Sequence, residues 1–153
     1  MEYESAINVL NTLIVINNDR IEGYETAAKE TEETDLQELF RRFTKTSEMC
    51  KTELVAAVVE LGGTPDESTR TTGKFFRVWM DFKAFLTGKD RVSILNSCEF
   101  GENAAQDAYK DAFAEPAELT ATQQAMITKQ KSLLAVDLHK VVTLRDALQL
   151  ADA

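Results

Sequence analysis

The chain has little that would interrupt a helix. Its 153 residues include only 6 glycines and 2 prolines, which excludes a turn-rich all-β architecture and a low-complexity disordered chain. No apolar run approaches the ~18 residues that a membrane-spanning helix needs. Basic residues are in the minority, 17 Lys and Arg against 26 Asp and Glu, for a net charge of −9. No basic patch offsets that excess, so nucleic acid and anionic membrane surfaces are excluded as partners. Histidine occurs once, and two-histidine metal sites are excluded with it. There is no glycine-rich phosphate loop, no G-x-S-x-G and no zinc-type Cys/His spacing. Cys50 and Cys98 fall on apolar stripes and read as small buried hydrophobes rather than as a disulfide. The start, Met1-Glu2-Tyr3-Glu4, is acidic and runs straight into an amphipathic pattern. It does not resemble a signal peptide, and the expected compartment is the cytoplasm.

What is present is helical periodicity, in one domain over 1–153. The first segment runs from about Glu4 to Glu30, with Ile7, Leu10, Ile14, Ile21, Glu25 and Ala28 at helical spacing. The second runs from Asp35 to Leu61 along Leu36, Leu39, Phe43, Cys50, Leu54, Ala57 and Leu61. Thr34-x-x-Gln37 reads as a capping box at its start, and Gly62-Gly63 ends it. The third runs from Asp90 to about Phe113, with Leu95, Cys98, Glu102, Tyr109 and Phe113 on one stripe. The fourth opens at a second capping box, Thr120-x-x-Gln123, and reaches about Leu150. Val136, His139, Thr143, Ala147 and Leu150 are expected on or near its inner face.

Between the second and third helices lie Gly62 to Gly88, about 27 residues, where an up-down bundle spends only about 2–8. The stretch contains an aromatic helical segment, with Phe75, Trp79, Phe82 and Leu86 on one face. A connector of that length can travel the whole ~40 Å of a 27-residue helix. Helices two and three then run parallel, the ferritin-like arrangement.

Two segments carry one pattern. Glu22-Gly23-Tyr24-Glu25-Thr26-Ala27-Ala28 and Glu99-Phe100-Gly101-Glu102-Asn103-Ala104-Ala105 both read E-x-x-E-x-A-A. Each sets two carboxylates one helical turn apart. Glu25 and Glu102 fall within apolar stripes, where an unpaired carboxylate is costly. The repeat pairs Glu22 with Glu99 and Glu25 with Glu102. On the other two helices it pairs Glu53 with His139. Glutamates in such positions need a partner, either a metal ion or a buried base. Tyr24 and Tyr109 either fill bundle space or donate hydrogen bonds to these carboxylates.

The stretch Trp79-Met80-Asp81-Phe82-Lys83-Ala84-Phe85-Leu86-Thr87-Gly88 is the most distinctive in the chain. With Gly23-Tyr24, Leu61-Gly62-Gly63-x-Pro65, Cys98-Glu99-x-Gly101-Glu102, Tyr109, His139 and Leu144-Arg145-Asp146, it resembles a bacterial family of ferritin-like four-helix-bundle proteins of unknown function. The resemblance spans nearly the whole chain. It implies a ferritin-like bundle with a short crossover helix, and no assigned reaction. Through the wider ferritin-like group it implies a carboxylate-bridged pair of iron or manganese ions inside the bundle.

The chain departs from that group where Glu-x-x-His is expected. It has Cys50-x-x-Glu53 and Val136-x-x-His139. A metal site would therefore be built from Glu22, Glu25, Glu53, Glu99, Glu102 and His139, a set suited to hard or borderline divalent ions. The implied role is metal or oxidative-stress handling. The alternative is a non-enzymatic stress or protein-interaction bundle without metal, its glutamates paired with basic side chains. The aromatic crossover is expected first to cap the bundle core; what it leaves over is the surface for a homo-oligomer or, in the metal-free reading, for a partner.

Overall fold

The computed structural model describes residues 3–69, 91–114 and 118–151. Within them the protein is all-α, with four helices and no strand: α1 (Glu4–Glu30), α2 (Thr34–Glu60), α3 (Arg91–Ala114) and α4 (Ala121–Ala151). The aromatic helical segment expected within 62–88, from Phe75 to Leu86, lies outside the described residues. None of the described helices is long and apolar enough to cross a membrane.

Each helix buries a seam in which the spacing alternates between three and four residues. In α1 it is Leu10, Leu13, Asn17, Arg20, Tyr24 and Ala27, all buried. In α3 it is Leu95, Cys98, Glu102, Ala105, Tyr109 and Ala112. This is the heptad spacing of helices that wrap slightly around one another. The two seams correspond residue for residue, pairing Asn17 with Glu102 and Tyr24 with Tyr109. The internal repeat therefore has a different register from the E-x-x-E-x-A-A match, and Glu25 is not the counterpart of Glu102.

Two apolar clusters bracket the polar middle. One joins Tyr24 and Ala27 of α1, Leu36, Phe40 and Phe43 of α2, Ile94 and Leu95 of α3, and Val141 of α4. The other joins Leu10 and Leu13, Leu54 and Val58, Tyr109 and Ala112, and Ile127 and Leu134. The first holds the start of α2 and the start of α3, so those helices run parallel. α1 is antiparallel to α2, and α3 to α4. Arg91 at the start of α3 pairs with Glu33 (3.2 Å) and Asp35 at the start of α2, which fixes the same end-to-end match.

The helix ends follow their local chemistry. The N–H of Gly62 reaches Val59 O (2.9 Å) and that of Gly63 reaches Val58 O (3.0 Å), with Gly62 at φ +84°. This is a Schellman stop, and the left-handed position calls for glycine. A Cβ on Gly63 would come within 2.9 Å of Ile7, so α1 and the start of the connector pack closely there. The capping box at α4 forms reciprocally between Thr120 and Gln123 (3.0 and 3.1 Å). The one expected at α2 does not. Thr34 is already helical, and Gln37 Nε2 instead donates to Thr31 O at 2.8 Å.

The connector first runs back along α1. Asn11 donates to Thr64 O (3.1 Å) and accepts from Asp66 N–H (2.9 Å). Asn18 donates to Asp66 O (3.2 Å) and Ser68 O (2.8 Å). Asn18 is thus buried under the connector rather than at the bundle centre. That covering explains why the middle of α1, from Leu13 to Arg20, is buried all round.

Candidate functional site

The polar layer in mid-bundle is built on Arg20. Its position on the α1 seam leaves the guanidinium no route to solvent, and its side chain is 0% exposed. Arg20 Nε and Nη2 both donate to Glu102 Oε1, at 3.1 and 2.7 Å. Nη2 also reaches Asp137 Oδ2 of α4 at 3.2 Å, and Nη1 donates to Ser47 Oγ of α2. The Tyr24 hydroxyl donates to the same Glu102 oxygen at 2.6 Å, and the guanidinium lies 5.4 Å from the Tyr24 ring centre. All four helices meet at this one cation.

The neighbouring layer is built on amides and a phenol. Asn17 Nδ2 donates to Tyr109 Oη (2.9 Å), and Tyr109 Oη donates to Gln130 Oε1 (2.8 Å). Gln130 Nε2 then donates to Cys50 O and Glu53 Oε1, both at 3.1 Å. Tyr24 and Tyr109 occupy equivalent places on α1 and α3, and each phenol reaches the polar residue on the other helix's seam.

Burial sets the electrostatics. It would lower the pKa of Arg20, but the charge of Glu102, with Tyr24 and Asp137, outweighs it and holds the group above its ordinary value. Burial and then the Glu102 charge push Tyr24 and Cys98 well above theirs. The Cys50 thiol is pushed up to about 11, chiefly by burial. Neither thiol supplies a thiolate near neutral pH, and both are free and buried.

Asp137 is pushed up to about 6 by burial, with Arg20 opposing and Glu102 adding to the rise. Its unfolded value is near 3.8. Between those values the native state holds more protons than the unfolded chain, so stability rises as pH falls from about 6 towards about 4. The contribution is about 2 kcal/mol, allowing for the partial exposure of the carboxylate. Urea denaturation at about pH 4.5 and about pH 7.5 should show this gain in the native sequence and not in Asp137→Asn. An unchanged difference in the variant would mean that another group titrates.

The residues expected from the sequence to form one site are dispersed. Glu102 alone is fully buried. Glu22, Glu25 and His139 are exposed. Glu53 is exposed with one oxygen on Gln130, and half-buried Glu99 pairs with Arg145 of α4. Glu25 was expected inward because it continues the line of Ile14. Ile14, however, lies beside the seam, and Tyr24 takes the inward place one residue earlier. Likewise Val136, His139, Thr143, Ala147 and Leu150 face out of α4, whose buried positions are Ile127, Gln130, Leu134 and Val141. Phe113 is also exposed, at 44%. Among the described residues, no three His, Cys, Asp or Glu stand close enough to hold a metal ion.

Arg20, Ser47, Gln130 and Asp137 were not legible as site residues. A charged residue on a seam was the available signal, since Arg20 falls four residues before Tyr24 and three after Asn17. A surface cleft of about 710 Å³ lies apart from the cluster, lined by Asn11, Lys51, Val55, Thr64, Pro65, Asp66 and Glu67. Those side chains include no cysteine or histidine.

A family model described as "Domain of unknown function (DUF2383)" matches residues 5–115. The match takes in α1, α2 and α3 and stops short of α4. No curated protein matches the chain.

Proposed function

The chain belongs to the DUF2383 family, and from that premise we propose that it is a metal-free, non-enzymatic ferritin-like bundle that works through protein contacts. The observation that carries the reading is the Arg20–Glu102 pair, 2.7 Å apart with both side chains 0% exposed. The central carboxylate already has a cation, supplied by the chain itself. The parallel course of α2 and α3 supports the ferritin-like topology, because the connector has to return along the length of the bundle.

The residues do not fit a carboxylate-bridged iron or manganese pair. Such a centre needs several carboxylates converging from different helices. Glu102 Oε1 is engaged by three donors. The orphan buried oxygen, Glu102 Oε2, has neither Glu25 nor Glu99 turned towards it, since one is exposed and the other paired with Arg145. A divalent ion would have to displace a guanidinium that is held by two carboxylates and an aromatic ring. The sealed cluster also offers no substrate access and no activated nucleophile.

Elemental analysis of protein from iron- and manganese-supplemented cultures tests the reading. Less than about 0.1 ion per chain is expected, with no shift in thermal midpoint on adding either metal. About two ions per chain, lost in Glu102→Ala, would overturn it.

A further inference from the structure

We propose that the bundle binds one water molecule between its two polar layers, where it accepts hydrogen bonds from Ser47 and Arg20 and donates one to Asn17. The site stands whether or not the protein works through protein contacts.

The hydrogens of the two layers do not balance by themselves. A guanidinium carries five N–H hydrogens. Those of Arg20 Nε and Nη2 go to Glu102 and Asp137, and one on Nη1 goes to Ser47 Oγ. Among the described residues the second hydrogen on Nη1 meets no acceptor, and neither does the Ser47 hydroxyl hydrogen. The next layer has the opposite deficit. Asn17 Nδ2 donates to Leu13 O and to Tyr109 Oη, both at 2.9 Å, while Asn17 Oδ1 accepts nothing. Asn17, Arg20 and Ser47 are all 0% exposed, so bulk solvent reaches none of them. Two donors and one acceptor left unpaired in a closed core are costly.

The fold sets these groups one helical turn apart. Asn17 precedes Arg20 by three residues on α1, a rise of about 4.5 Å. On α2 the layers are marked by Ser47, which receives Arg20, and by Cys50, whose carbonyl receives Gln130 of the Asn17 layer. Because α1 and α2 are antiparallel, both helices step from the first layer to the second in the same direction. Two hydrogen bonds through one water oxygen span about 4.5–5 Å. The occupant has to accept from O–H or N–H and donate to an amide oxygen. A cation cannot accept, and an anion cannot donate to Oδ1. Water does both, and three partners are the usual number for a buried water.

With the water in place the two layers form one network. It runs from Glu53 through Gln130, Tyr109 and Asn17 to the water, and on through Arg20 to Asp137. Glu53 is exposed and Asp137 is 13% exposed, so both ends of the network reach solvent.

A crystal structure of the intact chain at about 1.5 Å resolution should show a single peak about 2.5–3.2 Å from both Asn17 Oδ1 and Ser47 Oγ. No peak there would overturn the proposal, as would Ser47 Oγ donating directly to Asn17 Oδ1. Oxygen-17 relaxation dispersion makes the second test, since it counts waters held longer than the protein takes to tumble. A chain of this length holds about five buried waters on average, so the difference between variants is the informative quantity. Ser47→Val removes the donor and fills its space, and it should hold one long-lived water fewer than the native chain. An equal count in the folded variant would overturn the proposal. If Ser47→Val fails to fold, the native crystal structure decides.

Discussion

Replacing Arg20 with methionine is expected to cost about 3–5 kcal/mol of stability and to lower the thermal midpoint by about 6–20 °C. Methionine approximates the volume of the arginine stem, so packing changes little. What changes is the charge balance. Glu102 is left wholly buried with only the Tyr24 hydroxyl on its Oε1 atom, and a carboxylate without a counter-charge is costly there. Asp137 contributes less to the loss. It is 13% exposed and can take up a proton or reach water.

The double variant Arg20→Met/Glu102→Leu should recover most of the deficit, because replacing a whole buried ion pair with apolar groups is often neutral or stabilising. Urea denaturation of the native protein, both single variants and the double variant closes the cycle. A double variant as unstable as the sum of the singles would show that Arg20 and Glu102 do not act as a pair. Folding of the double variant would also separate two roles of the cluster: stability, which apolar packing can replace, and the choice of which helix faces meet, which it cannot.

The second large effect lies one layer away. Tyr109→Ala should cost about 3–5 kcal/mol, the range for removing a buried aromatic ring. Tyr109→Phe should cost about 1–3 kcal/mol by a different route. The ring then still packs against Leu134 and its neighbours in the second apolar cluster. Gln130 Oε1 loses its donor, while Asn17 Nδ2 keeps its bond to Leu13 O at 2.9 Å. The difference between the two variants separates packing from hydrogen bonding at one position. Equal losses would mean that the hydroxyl carries the whole effect and the packing of the ring adds nothing. A loss below about 0.5 kcal/mol for Tyr109→Phe would mean that the polar layer has other ways to satisfy Gln130.

The sequence patterns were most informative where the deciding forces are local. The starts and stops of the helices were legible within a residue or so, because they follow capping residues, Gly62-Gly63 and an absence of helix breakers. The reciprocal Thr120–Gln123 cap was legible for that reason. The parallel course of α2 and α3 followed from connector length alone. Which face each helix buries was less legible. α1 has Ile7, Ile14 and Ile21 at one register and Leu10, Leu13 and Tyr24 at another, since a connector covers one side and the bundle the other. α4 buries only Ile127, Gln130, Leu134 and Val141 and leaves Val136 and Leu150 exposed, so its apolar residues are spread around the helix and periodicity by itself does not say which face meets the bundle. The E-x-x-E-x-A-A match was drawn from residue types, and the fold aligns the same helices differently, by their seams.

From sequence alone, the chain was determined to be a set of long amphipathic helices, acidic overall, with a glutamate at Glu102 that had to find a positive partner. Only the tertiary structure decided that the partner is Arg20, 82 residues away along the chain. The reason is physical. Helix formation and capping are settled among residues within about five positions of one another. The pairing of buried charges depends on which seams come together across the bundle, and no local pattern encodes that.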